Sequence, residues 1–147
     1  MDRRASRYGS WLAELGVPPQ ERPLAEARIL EALERTLADP RGRWLLSGPP
    51  GRVHSEWRLS GLHDGRIVNV IFDRMLLDQH GERWVIDFKT SRHEGGGLEA
   101  FIGQEVQRYE SQLQRYAALA KALGKERVRV ALYFPLLGVF RELTRQP

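Results

Sequence analysis

The stretch Trp84-Val85-Ile86-Asp87-Phe88-Lys89-Thr90 is an apolar run that nonetheless holds two charges. In an extended strand, positions two apart share a face. The Asp87 carboxylate and the Lys89 ammonium therefore stand side by side on a sheet that is expected to be buried. Taking charges out of water costs several kcal/mol unless a partner or a metal compensates, so a strand that keeps both is expected to use them. Composition sets the lysine apart as well. The chain has 20 arginines and three lysines, Lys89, Lys121 and Lys125. Lysine is a compact charge whose pKa can fall on burial, whereas arginine is a rigid fork that stays charged.

Immediately before this strand, Asp78-Gln79-His80-Gly81 reads as a turn, and Ile67 to Leu77 reads as a nearly all-apolar central strand interrupted at Asn69 and at Asp73-Arg74. A three-residue loop, Gln79-His80-Gly81, with glycine in the left-handed position makes Asp78 oppose Glu82. Counting back along both arms then places Asp73 opposite Asp87 on one face, with Cβ atoms about 5 Å apart. A slip of one residue sends the two carboxylates to opposite faces.

Two carboxylates at that separation repel by about 3 kcal/mol at an effective dielectric of about 20, equivalent to about two pKa units. Either one aspartate holds a proton at neutral pH or a cation sits between them. Oxygen ligands with open coordination positions suit magnesium or manganese. Lys89, adjacent to the pair, is placed to orient or deprotonate a water. Metal, activated water and a basic surface are the equipment of phosphodiester hydrolysis.

Further out, Arg4 to Leu15 has helical spacing and stops at Gly16. Pro23 opens a second helix whose Ile29, Leu30, Leu33 and Leu37 form one apolar stripe, ended by Asp39-Pro40. Gly48-Pro49-Pro50-Gly51 reads as a turn, and it lacks the Gly-Lys-Ser/Thr ending of a phosphate-binding loop. Strand character starts at Val53, where His54, Glu56 and Arg58 alternate with Ser55, Trp57 and Leu59. After a Gly95-Gly96-Gly97 loop come a long amphipathic helix from Phe101 to Leu123, a strand from Val128 to Phe134, and a short last strand from Val139 to Leu143. The order predicts an α/β sheet with helices on its faces.

At 147 residues the chain is expected to form a single domain, helical over 1–46 and with a sheet core over 53–144. No apolar stretch reaches the length of a membrane span, and the first residues lead into a polar helix rather than an apolar signal core. The absence of cysteine excludes disulfides, thiolate zinc sites and cysteine-ligated clusters. A cytoplasmic location is expected. The net charge of +4 fits a nucleic-acid partner through counterion release.

Phe72-Asp73-Arg74, the hairpin, and Ile86-Asp87-Phe88-Lys89-Thr90 resemble the PD-(D/E)xK nucleases, most closely the RecB/AddA-type nuclease domain of bacterial recombination helicase–nucleases. Downstream, Gln112-Leu113-Gln114-Arg115-Tyr116 resembles that family's Gln-x-x-x-Tyr motif. The likeness runs from about Glu56 to Phe134. It implies a restriction-endonuclease-like mixed sheet flanked by helices. It also implies a magnesium- or manganese-dependent deoxyribonuclease, by family habit an exonuclease, acting on DNA in recombination and repair beside a helicase domain or subunit.

By the same resemblance Asp73, Asp87 and the Phe88 main-chain carbonyl are metal ligands, and Lys89 positions the attacking water. Gln112 and Tyr116 contact DNA phosphate or steady the site, a role consistent with the helical face they share with Tyr109. Glu56 resembles the additional acidic residue of these enzymes. The chain departs from the pattern at Val70, where the family often has glycine, and in having no histidine before Val53, where RecB-like nucleases carry a metal-binding one. That departure leaves an alternative expectation: a weak or inactive nuclease-like domain that binds DNA or braces a helicase partner.

Overall fold

The computed structural model describes residues 3–48 and 52–143. Helix α1 (Arg3–Glu14) is followed by α2 (Arg22–Ala38) and α3 (Pro40–Leu46). Strands β1 (Val53–His63), β2 (Arg66–Leu77) and β3 (Arg83–Phe88) come next, then the 24-residue helix α4 (Leu98–Lys121), β4 (Val128–Phe134) and β5 (Val139–Glu142). The five strands lie in sequential order in one sheet. All neighbours are antiparallel except β3 and β4, whose parallel pairing needs the α4 crossover. This is the expected restriction-endonuclease-like α/β arrangement. Pro49, Pro50 and Gly51 of the expected turn lie outside the described residues.

Helices cover both sheet faces. On one face Ile102, Leu113 and Leu119 of α4 pack with Phe72, Val85 and Leu132 of the strands. On the other, Leu45 of α3 is fully buried with Leu76, Trp84, Ile86 and Tyr133. That this cover comes from a separate short helix was not expected, because Asp39-Pro40 reads as a stop. Asp39 does end α2, yet it also starts α3: its Oδ1 accepts the Arg41 N–H at 3.0 Å, and Pro40 takes the first-turn position where no donor is missed. The α2 stripe, by contrast, is only partly used, since Leu33 and Leu37 stay exposed.

Both hairpins close on left-handed residues. Asp64 (φ 50°) and Gly65 (φ 73°) form the two-residue turn between β1 and β2, an Asp-Gly signal for this geometry that extends β1 well past Leu59. Between β2 and β3, Gly81 takes φ 73° and the Asp78 N–H donates to the Glu82 carbonyl at 3.0 Å. The ladder then runs from Leu77–Arg83 to Arg74–Ile86, the register expected from the turn.

Alternation breaks once on β2 and once on β1. Met75 of β2 packs under α4, while Arg74 reaches the opposite face, where its Nε donates to the Leu45 carbonyl and its Nη1 to Ser55 Oγ. Yet Phe72 and Val70 also pack under α4, a shift out of period two. On β1 the break falls at Glu56, a non-glycine residue with φ 48°. His54 and Trp57, three apart, consequently share a face and stack with ring centroids 4.6 Å apart. The simple alternation expected for β1 is therefore corrected at this residue.

Candidate active site

The break in alternation is where the acidic pair sits. The β1–β2 pairing skips Glu56–Asp73, and the β2–β3 ladder stops one residue short of Asp73–Asp87. With the strands parting there, a side chain takes over the work of the ladder. Asp73 Oδ2 accepts the Phe88 N–H at 2.8 Å. Asp87, at the carboxyl end of β3 and 4% exposed, lies against it, and the Lys89 ammonium is 2.7 Å from Asp87 Oδ2. The last contact is an ion pair at an angle unsuited to a hydrogen bond, so Oδ2 is buried without an aligned donor.

Burial raises the Asp73 carboxyl from 3.8 to about 6; the Phe88 N–H works against this, and the hydrogen bond and charge of Asp87 add to it. The size of the shift matches the repulsion expected from the register, but desolvation is the larger cause. A pair of carboxylates this crowded holds more negative charge than one lysine offsets, which a hard dication would relieve.

Helix α4 roofs the pair. Its Tyr109 ring lies under the Lys89 ammonium, 3.6 Å from nitrogen to centroid. Gln112 Nε2 donates to the Tyr116 hydroxyl at 2.7 Å, and the Tyr116 ring meets Phe72 edge-on at 5.1 Å. Burial, reinforced by the charges of Asp87 and Asp73, pushes the Tyr116 phenol above its ordinary value despite the Gln112 bond. Tyr116 therefore stays protonated at neutral pH, its oxygen accepting from Gln112 and its hydrogen left to donate.

The structure thus brings Asp73, Asp87, Phe88 and Lys89 together, with Gln112 and Tyr116 beside them. Glu56 stands across from Asp73 by register, but its side chain is exposed. Among the described residues no group of three or more His, Cys, Asp and Glu side chains is placed to hold a metal ion. Two carboxylates are the side-chain oxygen donors that meet at this junction, with the Phe88 main chain against Asp73. Arg92, beside the site in sequence, turns away to pair with Glu31 of α2 at 2.8 Å.

Sequence reasoning passed over Glu105. It is a buried carboxylate on α4, one turn before Tyr109, with Ser91 Oγ donating to it at 3.4 Å. Its signal was the spacing 105, 109, 112, 116, a polar line along one helix face.

Comparison with known proteins gives a family for the chain. The model of the PD-(D/E)XK nuclease superfamily matches residues 4–144, and the chain belongs to that superfamily. Among solved structures, the crystal structure of SSO0001 is similar at 21% identity with a TM-score of 0.41, over 95% of this chain and 60% of that one. No curated protein matches the chain. The superfamily supports a nuclease, hence a hydrolase, and its members generally use divalent metals. No helix among the described residues is long and apolar enough to cross a membrane.

Proposed function

We propose that the chain is a magnesium- or manganese-dependent deoxyribonuclease, an exonuclease module of a RecB/AddA-type helicase–nuclease acting in DNA recombination and repair. The observation that carries this reading is the convergence of Asp73, Asp87 and Lys89 where β2 and β3 part, under the Gln112–Tyr116 pair. Asp73, Asp87 and the Phe88 carbonyl would hold the divalent ion. Bound there, the ion supplies Lewis acidity, lowering the pKa of water and offsetting charge on the phosphate.

The remaining roles fall to the chain itself. Lys89 has three N–H donors, enough to keep its contact with Asp87 and still orient a water toward phosphorus. Tyr116 can donate its hydrogen to a phosphate oxygen, and Gln112 fixes the phenol by binding its lone pair. The net charge of +4 favours the polyanionic DNA backbone as partner.

Cleavage of linear duplex and single-stranded DNA with either metal tests the proposal. Lys89→Ala is expected to lower turnover at least about a hundredfold with the circular dichroism spectrum unchanged. Cleavage at the wild-type rate by that variant overturns the assignment.

A second reading is favoured by the two-carboxylate donor set: a nuclease-like domain with little or no activity that binds DNA or braces a helicase. Thermal shift in magnesium or manganese separates the two. The second reading predicts no stabilisation by either ion and no cleavage.

A further inference from the structure

We infer that Tyr109 is the positioning residue for Lys89, its ring holding the ammonium over the acidic pair independently of Asp87. The inference deepens the nuclease reading and rests on it for the catalytic consequence. The Lys89 ammonium meets the Asp87 carboxylate at 2.7 Å and the face of the Tyr109 ring at 3.6 Å. Its side chain is 17% exposed, so the ring acts on a largely desolvated cation, the setting in which cation–π attraction is strongest.

The two contacts differ in what they survive. Asp87 is the residue assigned to hold a divalent ion, and a carboxylate that gives its charge to a dication attracts a neighbouring ammonium much less. The Tyr109 ring has no such competing duty. It is carried on α4 rather than on the strand, one helical turn from Leu113, which is buried in the core. That footing is rigid. With the ring in place, the ammonium keeps its direction when its anionic partner is engaged elsewhere, and one hydrogen remains for a water or a phosphate oxygen.

The ring face, not the hydroxyl, is the working part. Tyr109→Phe should therefore preserve function and Tyr109→Leu should not. In cation-free protein with 13C-labelled lysine, three Cε signals are expected, one per lysine. The Lys89 Hε resonances should lie upfield through the ring current, stay so in Tyr109→Phe, and return to the positions of Lys121 and Lys125 in Tyr109→Leu. In cleavage assays Tyr109→Leu should lower kcat about tenfold with KM unchanged, and Tyr109→Phe should recover the wild-type rate within about twofold.

Lys89 resonances that do not move in Tyr109→Leu overturn the inference, whatever the kinetics. So does a moved resonance with kcat unchanged. If the wild type cleaves nothing, the nuclease reading falls, while the resonance comparison still decides whether Tyr109 holds the amine.

Discussion

Asp73 carries two duties at once. Its Oδ2 replaces a missing ladder partner for the Phe88 N–H, and its charge crowds Asp87. In cation-free protein its folded pKa is about 6 against an ordinary 3.8. Between those values the native state holds a proton that the unfolded chain has released. Stability from this group therefore falls as pH rises through that window and stays low above it. Asp73→Asn keeps an acceptor for Phe88 and removes the charge. After allowance for solvent screening at this partly buried position, it is expected to raise the melting temperature by about 3 °C above pH 6. The gain should vanish below pH 4, as melts across that range will show. The same substitution should abolish cleavage. Glu56 shows a similar tension in its backbone, adopting a left-handed φ of 48° beside Asp73, a conformation uncommon outside glycine and asparagine-like residues.

At the scale of elements, the β2–β3 hairpin decides whether a site exists, and Asp78 holds it in register. Asp78 Oδ1 accepts the N–H groups of His80 at 2.8 Å and Glu82 at 2.9 Å, and Oδ2 accepts the Trp84 indole at 3.0 Å. Burial opposes ionisation, but those donors win and keep the carboxyl below its ordinary value. Its stabilising effect is present above the ordinary value and lost as pH falls through the lowered one. Asp78→Ala should cost about 1–3 kcal/mol in chemical denaturation. Helix α3 makes a different demand. Gly42 packs so closely on α2 that a Cβ would collide with the Thr36 carbonyl. In an ordinary helix alanine is better than glycine by about 1 kcal/mol. Here Gly42→Ala should instead destabilise by about 2 kcal/mol, measured by denaturant unfolding, because a backbone atom cannot step aside.

Across the whole molecule, the acidic pair joins β2 to β3 next to the parallel β3–β4 core, and α4 ties that core to the roof of the site. A divalent ion held at the pair would therefore be coupled to global unfolding. With magnesium or manganese at about a hundred times its dissociation constant, the melting temperature should rise by about 5–10 °C. Neither Asp73→Asn nor Asp87→Asn should show the rise. An unchanged wild-type melt with both ions would remove the metal site from the proposal.

The strands, the long helix and the acidic register were legible in the residues themselves. A three-residue loop with glycine at its left-handed position sets which residues oppose each other, so Asp73 and Asp87 face one another by counting alone. Helical spacing likewise put Tyr109, Gln112 and Tyr116 on one face, because that depends on local periodicity. Three features depended on partners distant in the chain. Leu45 became core only because the second sheet face needed a cover, and the α2 stripe did not supply it. Glu56 left the β conformation where two strands had to change phase together. Burial, which no local pattern measures, outweighed charge repulsion in raising the Asp73 pKa. The sequence by itself therefore determined the strands, the long helix and the register that brings Asp73 and Asp87 together. Only the tertiary structure decided how strongly those groups are desolvated and that Tyr109 lies under Lys89, since both arise from packing α4 across strands far away in the chain.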